Sequence, residues 1–265
     1  MLLKRVLTAA VLIPLLVLAV LYLSPFTFSL LLGGVAFLCG FEFGTMFFGL
    51  DAIRSWYLPL LAGPTVFFVS QSAPSSLVFP LVGGALFFLF FSVFLPDTTK
   101  ESARWCAFSF LGYAYVVLFL PFFSFLRELP SGKEFIFFIA TTVYVGDTAA
   151  YFVGSRFGRT KLAPAISPGK TWEGALASAV FGTLAGYLFL TKLGILPGGV
   201  RPLLFAFIVS TVGQMGDLFE SLLKRTAGVK DSGALFPGHG GMLDRVDSFI
   251  LNGAVLYFLL RGLSG

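Results

Sequence analysis

The sequence predicts an all-α polytopic integral membrane protein of about nine transmembrane helices, with the N-terminus cytoplasmic and the C-terminus outside. Three observations predict it. Charged residues make up 12% of the 265 and hydrophobic residues 57%, whereas a soluble domain carries about 25% charged residues. The mean hydropathy is +0.92. Apolar runs of roughly 20 residues recur along the chain, which is the length a helix needs to cross a bilayer. These runs are continuous, unlike the short alternating segments of a membrane β-barrel.

Nine apolar segments follow in order: 6–23, 26–50, 57–72, 77–96, 105–126, 134–154, 174–196, 202–222 and 246–262. The third is short enough to be re-entrant. Lys4 and Arg5 precede the first, but no small-residue cleavage site follows it, so it reads as a retained span rather than a signal peptide. No connection is long enough for an inserted soluble domain. With the N-terminus inside, thirteen of the 18 Lys and Arg residues fall on the inner side and five on the outer. That asymmetry sets the orientation. It places both charged loops, 155–173 and 223–245, in the cytoplasm, as expected of a multi-pass protein of the cell (inner) membrane with an inward-facing site. The net charge of +5 belongs to such loops, so membrane lipids and not nucleic acid are the expected surroundings. Cys39 and Cys106 lie inside apolar runs and read as small buried hydrophobes. Gly-rich "GGVAFLCG" suits close helix packing within one chain or between two, which allows a homodimer.

Charge is unevenly spread. Residues 1–130 read as a transmembrane scaffold, and 131–265 as the working region. A carboxylate in hydrocarbon is costly and usually meets a cavity, a partner or an ion. Asp147 in "TTVYVGDTAAYFVG" lies roughly 12 Å from the inner end of its span, and Asp217 in "TVGQMGDLFESLLKR" roughly 9 Å, at about 1.5 Å per residue. At similar depth, the two suit one inward-opening pocket. Gln214, Asp217, Ser221 and Lys224 recur as one helical stripe, which Glu220 widens. Glu42 in "FLCGFEFGTMFF" is a lone acid and reads as structural.

Residues 224–247, "KRTAGVKDSGALFPGHGGMLDRVD", break the apolar pattern. Lys224 and Arg225 sit at the inner end of a span, where they also complement a helix dipole. Gly228, Gly233, Gly238, Gly240 and Gly241 with Pro237 form loop backbone able to approach a ligand. Asp244 and Asp247 stand three apart as the next span begins, where acids have an ordinary capping use. Together these residues supply cations, exposed amides and paired carboxylates, a set suited to a metal-bound polyphosphate.

The same stretch, Ser221 to Asp247, resembles the signature of the phosphatidate cytidylyltransferase (CDP-diacylglycerol synthase) family. The matching positions are Ser221, Lys224, Arg225, Lys230, Asp231, Pro237, His239, Gly240, Gly241, Asp244, Arg245 and Asp247. "SPGKTWEG" at 167–174 is similar to the family's other cytoplasmic loop. The resemblance implies that CTP and phosphatidic acid give CDP-diacylglycerol and pyrophosphate. It implies Mg²⁺ and admits a second cation. Asp217 and Asp244 are then the expected metal ligands, with Asp247 or Asp147 third. Lys224, Arg225, Lys230 and Arg245 become phosphate clamps, their division between lipid and CTP left open. Asp231 orients a lysine or binds metal. His239 fixes the glycine loop or touches a phosphate rather than acting as a base. Ser221, Gly240 and Gly241 are expected against substrate, and Ser167, Lys170 and Thr171 form the second substrate loop. "GKT" at 169–171 is not read as a P-loop, because Pro164 stands where that motif needs Gly and no strand is expected before the helix. A CTP-dependent polyprenol or lipid kinase and an ion-coupled transporter are the alternatives.

The orientation has a direct check. A reporter active only in the cytoplasm should work when fused after Arg159 and stay silent when fused after Gly265. An active C-terminal fusion would change the number of spans by one.

Overall fold

The computed structural model describes residues 13–50, 53–94, 98–236 and 240–262. The first helix, α1, is described over Ile13–Tyr22. It is followed by α2 (Pro25–Phe48), α3 (Arg54–Ser70), a 3₁₀ turn (Pro74–Leu77), α4 (Val78–Val93), α5 (Thr99–Phe119), α6 (Phe122–Arg127) and α7 (Gly132–Phe157). Strands β1 (Lys161–Ala163) and β2 (Ser167–Thr171) come next, then α8 (Trp172–Lys192), α9 (Val200–Thr226) and α10 (Leu243–Gly262). In its described part, each of the nine apolar segments falls on helix. The fifth is divided by Pro121 into α5 and α6.

Among the described residues, six helical stretches are long and apolar enough to cross a membrane: Pro25–Phe48, Pro74–Val93, Thr99–Arg127, Gly132–Phe157, Trp172–Lys192 and Val200–Thr226. This is the pattern of a multi-pass membrane protein. α3 has 17 residues and spans about 25 Å, short of the roughly 30 Å hydrocarbon core. α10 opens with Asp244, Arg245 and Asp247, which lower its apolarity.

The helix starts follow from local chemistry. The Ser24 hydroxyl caps α2 by accepting from Thr27 N, and Pro25 occupies the first turn, where no donor is needed. Thr98 caps α5 through Glu101 N in the same way. Thr171 caps α8 through Gly174 N at 3.2 Å.

One element departs from the all-α expectation. β1 and β2 pair antiparallel, Lys161 against Thr171 and Ala163 against Ser167. The connection between α7 and α8 must satisfy its own backbone groups, and a hairpin does so locally. "GKT" therefore lies in a strand that runs directly into α8, contrary to the sequence expectation. The P-loop reading still fails at Pro164.

The chain folds as two compact units. One comprises Met1–Phe125 with Asp231–Arg245, the other Leu126–Lys230 with Val246–Gly265. Residues 231–245 thus fold with the scaffold helices, and the unit boundary falls in the first turn of α10.

In the first unit, α2 and α3 lie antiparallel with their backbones nearly touching. A Cβ on Gly33 would stand 3.0 Å from the Gly63 carbonyl, and one on Gly40 3.0 Å from Pro59 Cα. "GGVAFLCG" thus does its packing, at least in part, within the chain. The core of this unit is aromatic. Phe47 stacks on Phe108 at 4.2 Å, and buried Phe88 and Trp105 meet at 5.5 Å. In the second unit, α7, α8 and α9 approach through small residues. A Cβ on Gly146 would lie 2.7 Å from Ser178 Oγ, and one on Gly182 2.6 Å from Ser210 Oγ.

Gly44→Val tests the α2–α3 approach, since its Cβ would come within 2.5 Å of the Ser55 carbonyl. Such overpacking should cost about 1–3 kcal/mol and lower the melting temperature in detergent. Gly34→Ala, with open space at its Cβ position, should not.

Candidate active site

The second unit carries a cavity of about 500 Å³ formed by α7, the hairpin, α8 and α9. Its polar lining includes Asp147, Ser155, Ser167, Lys170, Thr171, Gln214 and Asp217, and its apolar lining includes Ala150, Leu162 and Leu218. Lys170 Nζ pairs with Asp217 Oδ2 at 2.7 Å, joining β2 to α9. One turn along α9, the Ser221 hydroxyl donates to Asp217 Oδ1 at 3.4 Å. Asp147 lies within electrostatic range of Asp217 and Lys170. Asp247 lies within range of Asp217, Asp147 and Lys224. α9 and α10 touch beside this group, and a Cβ on Gly216 would collide with the Asp247 carbonyl. Further along α9, Lys224 is ion-paired with the fully buried Glu220.

In this set, two ammonium groups, Lys170 and Lys224, accompany four carboxylates: Asp147, Asp217, Glu220 and Asp247. The balance is negative and the donors are oxygens, which suits a hard divalent cation. Among the described residues, no three His, Cys, Asp or Glu side chains are gathered as a finished ligand cage. Mg²⁺ does not require one, because it commonly binds through one or two carboxylates plus substrate phosphates.

The hairpin is braced from two sides. Arg225 donates through Nε to the Ile166 carbonyl at 3.1 Å and through NH1 to the Val229 carbonyl at 2.8 Å. The Glu173 carboxylate accepts from Thr160 N at 3.2 Å. The loop carrying Ser167 and Lys170 is therefore tied to the end of α9 and to the first turn of α8.

The first unit holds the other part of the signature. Asp244 Oδ2 accepts from Ser232 N and Ser232 Oγ, both at 2.9 Å, and from Gly241 N at 2.8 Å. Glu42, on α2 and only 5% exposed, reaches the same segment. Its Oε1 accepts from Met242 N at 2.7 Å, and its Oε2 from Leu243 N at 2.8 Å and Ser232 Oγ at 2.9 Å. Gly240 adopts φ +76°, a left-handed conformation that favours glycine.

The sequence pattern of the cytidylyltransferase family matches residues 3–263. The chain belongs to the cytidylyltransferase family. Phosphatidate cytidylyltransferases of Thermotoga maritima and Haemophilus influenzae are 35% and 33% identical to it, over 98% and 97% of this chain and 97% of each of those proteins. That of Brucella suis is 42% identical over 167 residues, a match that covers 63% of this chain and 60% of that protein's length.

For this cytidylyltransferase-family chain, the fold brings together most residues of the helical stripe. Gln214 and Asp217 line the cavity, Ser221 supports Asp217, and Asp147 and Asp247 join them electrostatically. Asp244 belongs to the first unit, where its Oδ2 accepts from Ser232 and Gly241. Lys224, expected as a clamp, is buried with Glu220. Arg225 is engaged with backbone carbonyls. Lys230, Asp231 and Arg245 are exposed. His239 lies outside the described residues. Glu42 and Ser232 were not singled out as site residues from the sequence. The cost of a lone acid in an apolar span was the signal that pointed to a partner for Glu42.

Thr171 lines the cavity and caps α8. Thr171→Ala should lower stability by about 1 kcal/mol, read as a lower melting temperature in detergent, while Thr171→Ser should retain most of it.

Proposed function

We propose that this protein transfers the cytidylyl group of CTP to phosphatidic acid, yielding CDP-diacylglycerol and pyrophosphate. The observation that carries the reading is the cavity around the Lys170–Asp217 pair, set within a chain of the cytidylyltransferase family whose full-length relatives are named phosphatidate cytidylyltransferases. In the reaction, a phosphate oxygen of the lipid bonds to the α-phosphorus of CTP. The bond from that phosphorus to the bridging oxygen breaks, and pyrophosphate leaves with its electron pair. The attacking phosphate is already anionic near neutral pH, so no strong base is required. The obstacle is repulsion between polyanions, and the protein's task is positioning and charge neutralisation.

Lys170 fits this task from the cavity wall, with exposed Lys230 and Arg245 as further phosphate partners. Asp217 would hold Mg²⁺, with Asp147 or Asp247 beside it. The metal's chemistry there would be to offset charge on the phosphate oxygens. A second cation is compatible with the negative balance of the set. Nine spans with the N-terminus inside would turn the cavity to the cytoplasm of the inner membrane, where CTP is available. The lipid headgroup would enter from the bilayer. The kinase and transporter alternatives gain no support from the family or from these residues.

The test is purified protein with labelled CTP, phosphatidic acid and Mg²⁺, followed by detection of CDP-lipid. Lipid phosphate without CDP-lipid would make the enzyme a kinase instead. Asp217→Asn should lower turnover about 100-fold or more while the protein still folds in detergent. Near-normal turnover would remove Asp217 from the chemistry. Lys170→Ala should raise the apparent KM for one substrate, and unchanged kinetics would reduce its loop to a structural turn.

A further inference from the structure

We propose that Glu42 is a positioning residue of the reaction, fixing Ser232 and the Gly241–Asp244 stretch that leads into α10, from a helix that carries no other part of the signature. This rests on the proposed reaction, in which that segment stands between the phosphate partners Lys230 and Arg245. Met242 and Leu243 present the first amides of α10, which have no acceptor within the helix. In the ordinary arrangement a neighbouring side chain or water caps them. Here a buried carboxylate some 200 residues earlier in the chain does so, with one oxygen on each amide. An anion at a helix N-terminus is also favoured by the helix dipole.

The surrounding glycines are shaped to this carboxylate. A Cβ on Gly233 would stand 2.9 Å from Glu42 Oε1, and one on Gly241 would collide with the carboxylate outright. The Ser232 hydroxyl lies between Glu42 Oε2 and Asp244 Oδ2 at 2.9 Å from each. Two acids thus meet at Ser232, and their other partners are the amides of Gly241, Met242 and Leu243. Ser232 and Gly241 contact both of them, and the start of α10 is set where Glu42 receives it. A shift in that start would displace Arg245, two residues beyond Leu243 in the same unit.

The experiment is hydrogen exchange on the full-length protein in detergent without substrates, paired with turnover of CTP and phosphatidic acid per folded molecule. Glu42→Gln places an amide against backbone donors. It should speed exchange in peptides covering 232–243 roughly tenfold while peptides of α8 stay unchanged. Its kcat should fall roughly tenfold or more, with Glu42→Asp, which keeps the charge, lying between it and the unaltered protein. Gly241→Ala, which displaces the carboxylate while leaving Glu42 in place, should reproduce both effects should the Gln variant not fold. Unchanged exchange at 232–243 in these variants overturns the brace. Faster exchange with unaltered kcat, or loss of folded protein with normal kcat in what remains, overturns the positioning role. Failure of the unaltered protein to make CDP-lipid overturns the reaction and the positioning role together. It is told apart from the other results because exchange is read without substrates.

Discussion

A carboxylate surrounded by apolar groups must be given donors or counter-charges, and Glu42 meets this demand with the backbone of a distant segment. Its two oxygens take two amides and a hydroxyl from residues 232–243. Unpaired, the acid would be costly to bury on α2, and the amides would be orphan donors at the start of α10. Each solves the other's problem. The pairing explains why residues 231–245 belong to the same compact unit as the first five helices. It also explains why glycine stands at 233 and 241, where any side chain would displace the acid.

The acids of this protein fall into two kinds, and their partners separate them. Glu42 and Asp244 are supplied with backbone and hydroxyl donors. Asp147, Asp217 and Asp247 lie among one another's charges, with Lys170 and Lys224 as the nearby positive charges, the Ser221 hydroxyl on Asp217 and the Ser248 amide on Asp247. The first arrangement is stable as it stands and fixes a loop. The second concentrates negative charge that a cation or a cationic side chain must offset. Position along a helix does not distinguish the two kinds, because Asp244 and Asp247 both stand near the start of α10 and fall into different ones. The charges around each carboxylate do.

Much of this was legible in the sequence. Apolar runs marked the helices, because a membrane span must be continuously apolar and helical, but the break at Pro121 inside the fifth run was not read. The stripe of Gln214, Asp217 and Ser221 was visible because helical periodicity is local. The hairpin at 161–171 was not, because it is short, contains Pro168 and Gly169, and depends on pairing with itself between two helices. That the motif is shared between two compact units was hidden for another reason. Asp217 and Asp244 belong to one continuous stretch, and contiguity in sequence does not reveal a unit boundary. Glu42 was noticed as a lone acid, but its partners lie about 200 residues away and are mostly backbone amides. No side-chain pattern announces such a partner.

The lysines near the cavity differ in what they can give up. Lys224 is buried with a fully buried Glu220, their side chains 11% and 0% accessible. Separating such a pair leaves an uncompensated buried charge, at a cost of about 3–5 kcal/mol. Lys170 and Asp217 are 28% and 32% accessible, so their ion pair is partly screened and weak by comparison. Lys170 is carried on a strand that Arg225 holds in place, while its ammonium group can leave Asp217 at little cost. On the proposed reaction, the charge that moves to an arriving phosphate is therefore Lys170. Lys224 stays where it is, keeping Glu220 neutralised inside α9 and its own field on Asp247. Two residues of one type and charge, one expected as a phosphate clamp and one in a substrate loop, are divided by burial into a mobile charge and a fixed one.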